Sequence, residues 1–443
     1  MNFANSSLLK NDFIIFGAVN LIAGLFMKKH RFILFAFSIP LIVVAIFVFP
    51  NIKWNSENSI DKIKEPEVID YSKEIINVLT KFDSLYQENI MESGTIGGAV
   101  VITYKGQIVM TKCFGLQKAG KKDSVNKNTI FRLASVSKTI TGVLAAKLAH
   151  KNIFSLDEKV IDYIPDLELM NEENTSNLTI RHLLSHTSGL IPYAYDGMVE
   201  DRVPLKKIIS RLNEVEITGP PGLNYGYQNV MFSLYDIIVS VKTNNSFSNI
   251  LKQEVFEPFG MDNASTDLKT FRQSKNKAFP HVNTKSGFRS TKLNNRYYVT
   301  VPAAGVNASI SDMGKFLLAI TSNEDSLFSK AERKIVFEPQ VKSVLKRTYY
   351  RNWDRIKAKQ YAIGWRIIDY KDHTIAQHGG YISGYQSEIA ICEEDEIGIA
   401  LLSNSPNSSF SKNVPNFFNL YFEHKNSLKQ KIETQEIVQE TQY

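Results

Sequence analysis

The chain has 443 residues, 43% hydrophobic and 22% charged, enough for one large or two ordinary globular domains with a substantial core, and unlike a disordered or fibrous protein. Its formal net charge of +7 points toward nucleic acid, but no nucleic-acid motif accompanies it, so nucleic acid is not expected as a partner. The positive residues crowd between Lys330 and Lys359, with Arg333, Lys334, Lys342, Lys346, Arg347, Arg351, Arg355 and Lys357 among them. That run reads as a solvated helical or loop face, with anionic lipid or cell-wall polymer as the alternative contact.

The N-terminal part differs from the rest. Residues 32–50, FILFAFSIPLIVVAIFVFP, are apolar over the ~20 residues that a membrane-spanning helix needs, and Lys28, Lys29, His30 and Arg31 precede them. The positive-inside rule then puts everything after Pro50 outside the cytoplasm, in the periplasm of a bacterium. VFPNIKWN offers bulky residues where a signal peptidase needs small ones, which favours an uncleaved anchor. An earlier stretch, Phe13 to Met27, is short for a span; residues 1–31 are a cytoplasmic segment or the first half of a hydrophobic hairpin, and a start at Met27 would give a conventional MKKHR opening. Residues 51–70 are a polar linker, 71–425 the folded domain, and 426–443, lacking apolar periodicity, a loose polar tail.

Within the domain, Ile75, Val78, Leu79, Phe82, Leu85 and Tyr86 recur at helical spacing. GGAVVITY and QIVMTKCFG then form a hairpin about the turn Lys105-Gly106. Residues 151 to 290 are mostly helical or irregular, and strand patterns return in YAIGWRIIDY, TIAQHGG, YQSEIAICEED and EIGIALLSN. Strands at both ends with a helical block between them predict an α/β arrangement: one sheet built from both ends, helices on its faces, and strands near 378 beside the helix that begins near 135.

That helix, FRLASVSKTITGVLAAKLAH, places Ser135 three residues before Lys138, on one face near its start. Gly142, Ala145 and Ala149 follow on the same face, and Ile140, Val143, Leu144 and Leu148 cover the others, so the helix is expected to be buried nearly all round. Burial disfavours an ammonium; moving a lysine from about 10.4 to about 7 or 8 takes roughly 3–5 kcal/mol of differential interaction. A neutral amine can take the serine's proton, which is the chemistry of a Ser-Lys nucleophile pair. Alone, the spacing reads more readily as a capping serine with a snorkelling lysine, since S-x-x-K occurs by chance in many chains. Cys113 and Cys392 fit one disulfide or two separate buried thiols, with no catalytic role. RHLLSH sets His182 and His186 at helical spacing without the glutamate of a zinc protease, so they read as capping or packing residues, and no metal or cofactor is expected.

Further blocks stand in order along the chain: FSLDEKVIDYIPDL, LTIRHLLSHTSGL, PGLNYGYQNVMFSLYDIIV, FEPFGMDNAS, VPAAGVNASISDMGKFL, YAIGWRI and HGGYISGYQSEIAI. Together with the Ser135 helix they resemble the serine β-lactamase and penicillin-binding superfamily, in particular its class C-like branch, which includes DD-carboxypeptidases, D-peptide hydrolases and esterases. The resemblance, over roughly residues 71–405, implies a β-lactamase-like sandwich of an antiparallel sheet with flanking helices plus a helical subdomain. It implies that Ser135 is the nucleophile, Lys138 the acceptor of its proton, Tyr227 the proton shuttle to the leaving group and Asn229 the amide that steadies lysine and substrate. His378, Gly379 and Gly380 fall at the third motif, expected on an edge strand, and the backbone N–H groups of Ser135 and Tyr381 would form the oxyanion hole. Each hole donor contributes about 2.7–4 kcal/mol in the transition state against ~0.3–1 kcal/mol for the helix dipole, so the hole outweighs the dipole. Class C β-lactamases usually carry lysine where His378 stands, and a mostly neutral imidazole holds a substrate carboxylate more weakly, which argues against efficient antibiotic hydrolysis.

The reading is therefore a membrane-anchored serine hydrolase acting on an amide or ester, of D-peptide, simple ester or β-lactam type, through an acyl-Ser135 intermediate. The alternative is a catalytically silent scaffold that binds wall peptides, against which stands the intact Ser-Lys-Tyr-Asn set. Oligomeric state is not encoded legibly.

Overall fold

The structure is a computed structural model that describes residues 71–322, 327–343, 350–354 and 356–440, the stretch 432–440 through its backbone alone. The apolar segments 13–27 and 32–50 and the linker 51–70 lie outside the described residues, and no helix among the described residues is long and apolar enough to cross a membrane.

Chain order gives α1 (Ile76–Ser93), β1 (Gly97–Tyr104), β2 (Gln107–Gly115), β3 (Ile130–Arg132) and α2 (Ser137–His150), then a block of short helices and loops containing α3 (Asn229–Thr243). The ribbon β4 (His281–Thr284) and β5 (Gly287–Ser290), the strand β6 (Asn307–Ser309) and α4 (Ile310–Thr321) follow. The chain closes with β7 (Val341–Lys342), β8 (Ile356–Tyr361), β9 (Arg366–Tyr370), β10 (His373–Ile382), β11 (Tyr385–Cys392), β12 (Ile397–Ser403) and α5 (Asn413–Glu440). Among the described residues the main sheet runs β2-β1-β12-β11-β10-β9-β8-β7, antiparallel throughout. β1 pairs with β12, so the two ends of the domain do close one sheet.

β1 and β12 are buried at every position because both faces are covered. In β1, Ala99 and Val101 join the front core with α2 and α4, while Val100 and Ile102 join the back core with α1 and α5; β12 divides likewise, Ala400 and Leu402 to the front, Ile399 and Leu401 to the back. The β1–β2 turn takes positive φ at Lys105 (46°) and Gly106 (73°), the geometry whose twist matches a tight hairpin.

Three expectations are corrected. Residues 426–440 are not a loose tail: α5 continues through them, carried by Val414, Phe417, Phe418, Tyr421 and Phe422, which are buried against the sheet, while Asn426 to Lys431 are exposed. The basic run is not uniformly solvated, since Arg333 is buried, donates to the carbonyls of Ser322 (2.6 Å) and Phe328 (2.8 Å) and pairs with Glu393. The His378-Gly379-Gly380 segment is not on an edge strand of the sheet. It lies in interior strand β10, whose partner β9 reaches only to Gln377, so the remainder of β10 is open on that one side.

Candidate active site

Between Ile130 and Leu148 every residue is buried except Ser135. It sits in a 3-10 turn, Ala134–Val136, that runs directly into α2, one step before the helix proper. Ala134 is held at φ 48°, a left-handed conformation unfavourable for a residue with a Cβ, and this turns Ser135 outward. Such local strain persists only where the surroundings over-determine it, and here they do: Ser387 Oγ donates to the Leu133 carbonyl at 2.5 Å from β11, and α2 packs so closely on the Ile363-Gly364 turn that a Cβ on Gly142 would lie 2.1 Å from the Ile363 carbonyl oxygen.

Lys138, the second residue of α2, is fully buried. Its Nζ donates to Asn229 Oδ1 (2.7 Å) and the Ala303 carbonyl (2.9 Å), and lies 3.5 Å from Ser135 Oγ. Ala303 is fixed there because Ser137 Oγ accepts from Val306 N (3.0 Å) and Thr141 donates to the Pro302 carbonyl (2.9 Å), both from α2. A neutral amine has two N–H bonds; with an acceptor for each in Asn229 and Ala303, its lone pair is left for Ser135 Oγ. Burial, chiefly, holds Lys138 well below the ordinary lysine value; Asp196 opposes this and Arg366 reinforces it.

Tyr227 donates to Ser135 Oγ at 2.9 Å. Burial raises its phenol far above the ordinary tyrosine range, so it stands as a proton carrier, not a phenolate. Lys138 Nζ lies 4.7 Å from the centroid of the same ring. Asn229 begins α3, and its Nδ2 donates to Asp196 Oδ2 at 2.8 Å. A carboxylate only accepts, so Asp196 dictates which way the Asn229 amide faces and delivers Oδ1 to Lys138. Burial pushes the Asp196 carboxyl up to about 6, the hydrogen bond from Asn229 and the charge of Lys138 pulling the other way.

The third-motif strand approaches from the opposite side. A Cβ on Gly380 would lie 2.4 Å from the Leu133 carbonyl oxygen and 3.0 Å from Ser135 N, so only glycine lets β10 come this near the turn. Gly379 lies beside it on β10, half-buried, and Tyr381 follows, 71% exposed at the opening. His378 departs from expectation: it is wholly buried, Nδ1–H donates to the Gly379 carbonyl (2.8 Å) and Nε2 accepts from the Tyr361 hydroxyl (3.2 Å). With both nitrogens engaged, the ring supports the strand and does not meet a substrate. Burial first, then the charges of Arg366 and Lys138, hold it well below the usual imidazole value, and His186 is held down by burial, Lys138, Arg366 and His378.

The fixed cation of this site is instead Arg366 of β9, buried, with Nη1 donating to the Tyr225 hydroxyl (3.1 Å) and its guanidinium 5.2 Å from the Tyr227 centroid. Arg366 and Asp196 were not singled out in the sequence, although Arg366 lies in the strand pattern YAIGWRIIDY. His182 caps Ile180–Leu184 with Thr179, and His186 packs on Tyr227 with ring centroids 4.3 Å apart, while its Nδ1 accepts from Gln228 N. Both cysteines are free thiols.

Comparison with known proteins gives a consistent result. The family model described as "Beta-lactamase" matches residues 82–419. Among curated proteins, "Protein flp" of Staphylococcus aureus (strain NCTC 8325 / PS 47) is 24% identical over 358 residues, 78% of this chain and 67% of that protein. "Unguisins hydrolase ungD'" of Aspergillus campestris (strain IBT 28561) is 23% identical over 332 residues, 72% of this chain and 60% of that protein. In fold, the chain is similar to an octameric penicillin-binding protein homologue from Pyrococcus abyssi (TM-score 0.68, 22% identity, 78% of this chain and 77% of that one). It is similar also to a class C beta-lactamase (TM-score 0.62, 16% identity, 77% and 96%).

Proposed function

Because the chain belongs to the Beta-lactamase family, we propose that it is a serine hydrolase that opens an amide or ester through an acyl-Ser135 intermediate. The observation that carries this is the arrangement about one hydroxyl: Lys138 Nζ at 3.5 Å with its other two partners both acceptors, and Tyr227 OH at 2.9 Å. Neutral Lys138 takes the Ser135 proton as Oγ bonds to the carbonyl carbon. The oxyanion is held by the N–H groups of Ser135 and Tyr381, and the cations Lys138 and Arg366 favour the charge that develops. When the bond to the leaving amine or alkoxide breaks, that group takes a proton relayed through Tyr227. Water then repeats the sequence on the acyl carbon, returning Ser135 Oγ–H and releasing the acid.

Tyr193, 55% exposed with its ring centroid 5.5 Å from Tyr227, and exposed Tyr381 form aromatic lips at the opening. They suit an extended acyl chain such as a D-peptide or a small ester. β-Lactams acylate slowly in this reading, since His378 is neutral and buried where a surface lysine would bind their carboxylate. The domain acts outside the cytoplasm, anchored through residues 32–50; the apolar length and the Lys28–Arg31 cluster support this. Protease treatment of intact cells tests it: the domain should be digested while cytoplasmic proteins survive.

The decisive experiment mixes the full chain with a penicillin and with an activated ester, and follows mass and product release beside Ser135→Ala. A single acyl adduct on the wild type and none on the variant supports the proposal. Equal ester turnover by both would overturn it.

A further inference from the structure

Away from the active site, the back face of the sheet gathers a second set of reactive side chains. His373 opens β10 and Cys392 closes β11, both packed toward α5, and Glu394 follows in the 3-10 turn Glu393–Asp395. One ligand atom from each lies within 4.8 Å of the other two.

Two further observations point to a ligand. The His373 ring is clamped flat on Phe422 of α5, centroids 3.9 Å apart and 5° from parallel, yet its Nδ1 is buried with no hydrogen-bond partner among the described residues. Cys392 Sγ donates to Asp395 Oδ2 at 3.8 Å, which sets a further carboxylate oxygen beside the thiol. We infer that His373, Cys392 and Glu394 bind a zinc-class divalent cation at the ends of β10 and β11, with the fourth position left to Asp395 or water.

The donor set selects the ion. One thiolate, one imidazole and one carboxylate suit zinc, whereas magnesium and calcium take oxygen shells. Zinc bonds of ~2.0–2.3 Å in a tetrahedron require donor atoms ~3.3–3.8 Å apart, so the cradle contracts by about 1 Å, within the rotameric reach of exposed Glu394. On binding, the Cys392 S–H bond breaks, its proton passes to solvent, and thiolate plus carboxylate balance the two positive charges. Lys425, the nearby cation, is held on Asp395 at 2.5 Å. The site lies at the opposite end of β10 from Tyr381, so the ion ties the start of β10 to the end of β11 and takes no part in hydrolysis.

The test uses the full chain, free of any histidine tag and stripped with chelator. Calorimetric titration should give one Zn2+ per chain, and Co2+ should produce a thiolate-to-cobalt charge-transfer band. Cys392→Ser should abolish the band, and His373→Gln and Glu394→Gln should each weaken zinc by at least about tenfold, the lower end of what even outer-shell partners contribute. Cys113→Ser should change nothing, and ester turnover should be unaltered in Glu394→Gln. If Cys392→Ser fails to fold, the His373 and Glu394 variants decide. No charge-transfer band in the wild type, or zinc affinity untouched in both His373→Gln and Glu394→Gln, would overturn the inference.

Discussion

The two faces of the sheet carry different loads on apolar cores of their own. On the front, Lys138, His186 and His378 are buried together with Arg366 and displaced toward their neutral forms, and Asp196 is displaced likewise, up to about 6. On the back, Phe82, Tyr86, Phe417, Phe418, Tyr421 and Phe422 pack as an aromatic layer, with Phe82 and Phe417 edge to face at 5.4 Å. The same strands feed both layers. The front sets desolvated charge, unfavourable for folding and useful for proton transfer, into a large apolar core, and apolar burial on both faces offsets it.

The sharpest way to separate the two is to remove chemistry without touching packing. Ser135→Ala should lower ester turnover by on the order of 10⁴-fold or more while leaving the denaturation midpoint within about 0.5 kcal/mol of the wild type. A variant that loses stability along with activity would mean that the turn is structural. Lys138→Arg is the finer cut, because it keeps the charge but cannot become neutral. Its kcat/KM should fall by about 10²- to 10⁴-fold, the usual worth of a general base; retention of activity would show that a cation, and not a base, is what Ser135 needs.

The contrast also explains what could be seen in the sequence. The sheet and the first helix of the back layer were legible because their information is local: apolar runs in GGAVVITY and IGIALLS, helical spacing from Ile75 to Tyr86. Ser135 and Lys138 were legible by their three-residue spacing, and Tyr227 and Asn229 only through the resemblance. What sequence did not disclose is long-range. Asp196 and Asn229 are 33 residues apart and Lys138 and the Ala303 carbonyl 165 apart, and no local pattern distinguishes Arg366 from any strand arginine. His378 was read as a substrate contact because its neighbours Gly379 and Gly380 sit at the right motif, but burial beneath Tyr361 is a tertiary fact. The helix through 426–440 was missed because a polar continuation needs no apolar stripe once the Phe417–Phe422 stretch has nucleated it.

Phe417→Ala tests the back layer as Ser135→Ala tests the front. Phe417 is fully buried, and the cavity should cost about 3–5 kcal/mol in urea unfolding, with kcat per folded molecule unchanged. A large loss of kcat in the folded variant would show that the layers are coupled through the strands.

The smallest effect is the most diagnostic. Asp196 has a folded pKa of about 6 against an ordinary 3.8, so between those values the folded chain binds more protons than the unfolded one. Stability attributable to this group therefore falls as pH rises from about 4 to about 6 and is flat above, a decline of up to about 3 kcal/mol at 1.36 kcal/mol per unit. Asp196→Asn is neutral at every pH and should lack that slope. Its unfolding free energy, measured from pH 4 to 8, should match the wild type at pH 4 and exceed it progressively to pH 6. Asparagine can still accept from Asn229 but no longer forces the amide's orientation, so kcat should drop about tenfold, in line with one hydrogen bond to a charged network. A stability difference that does not vary with pH would mean that Asp196 is charged in both states, and that the front layer tolerates a full carboxylate beside its lysine.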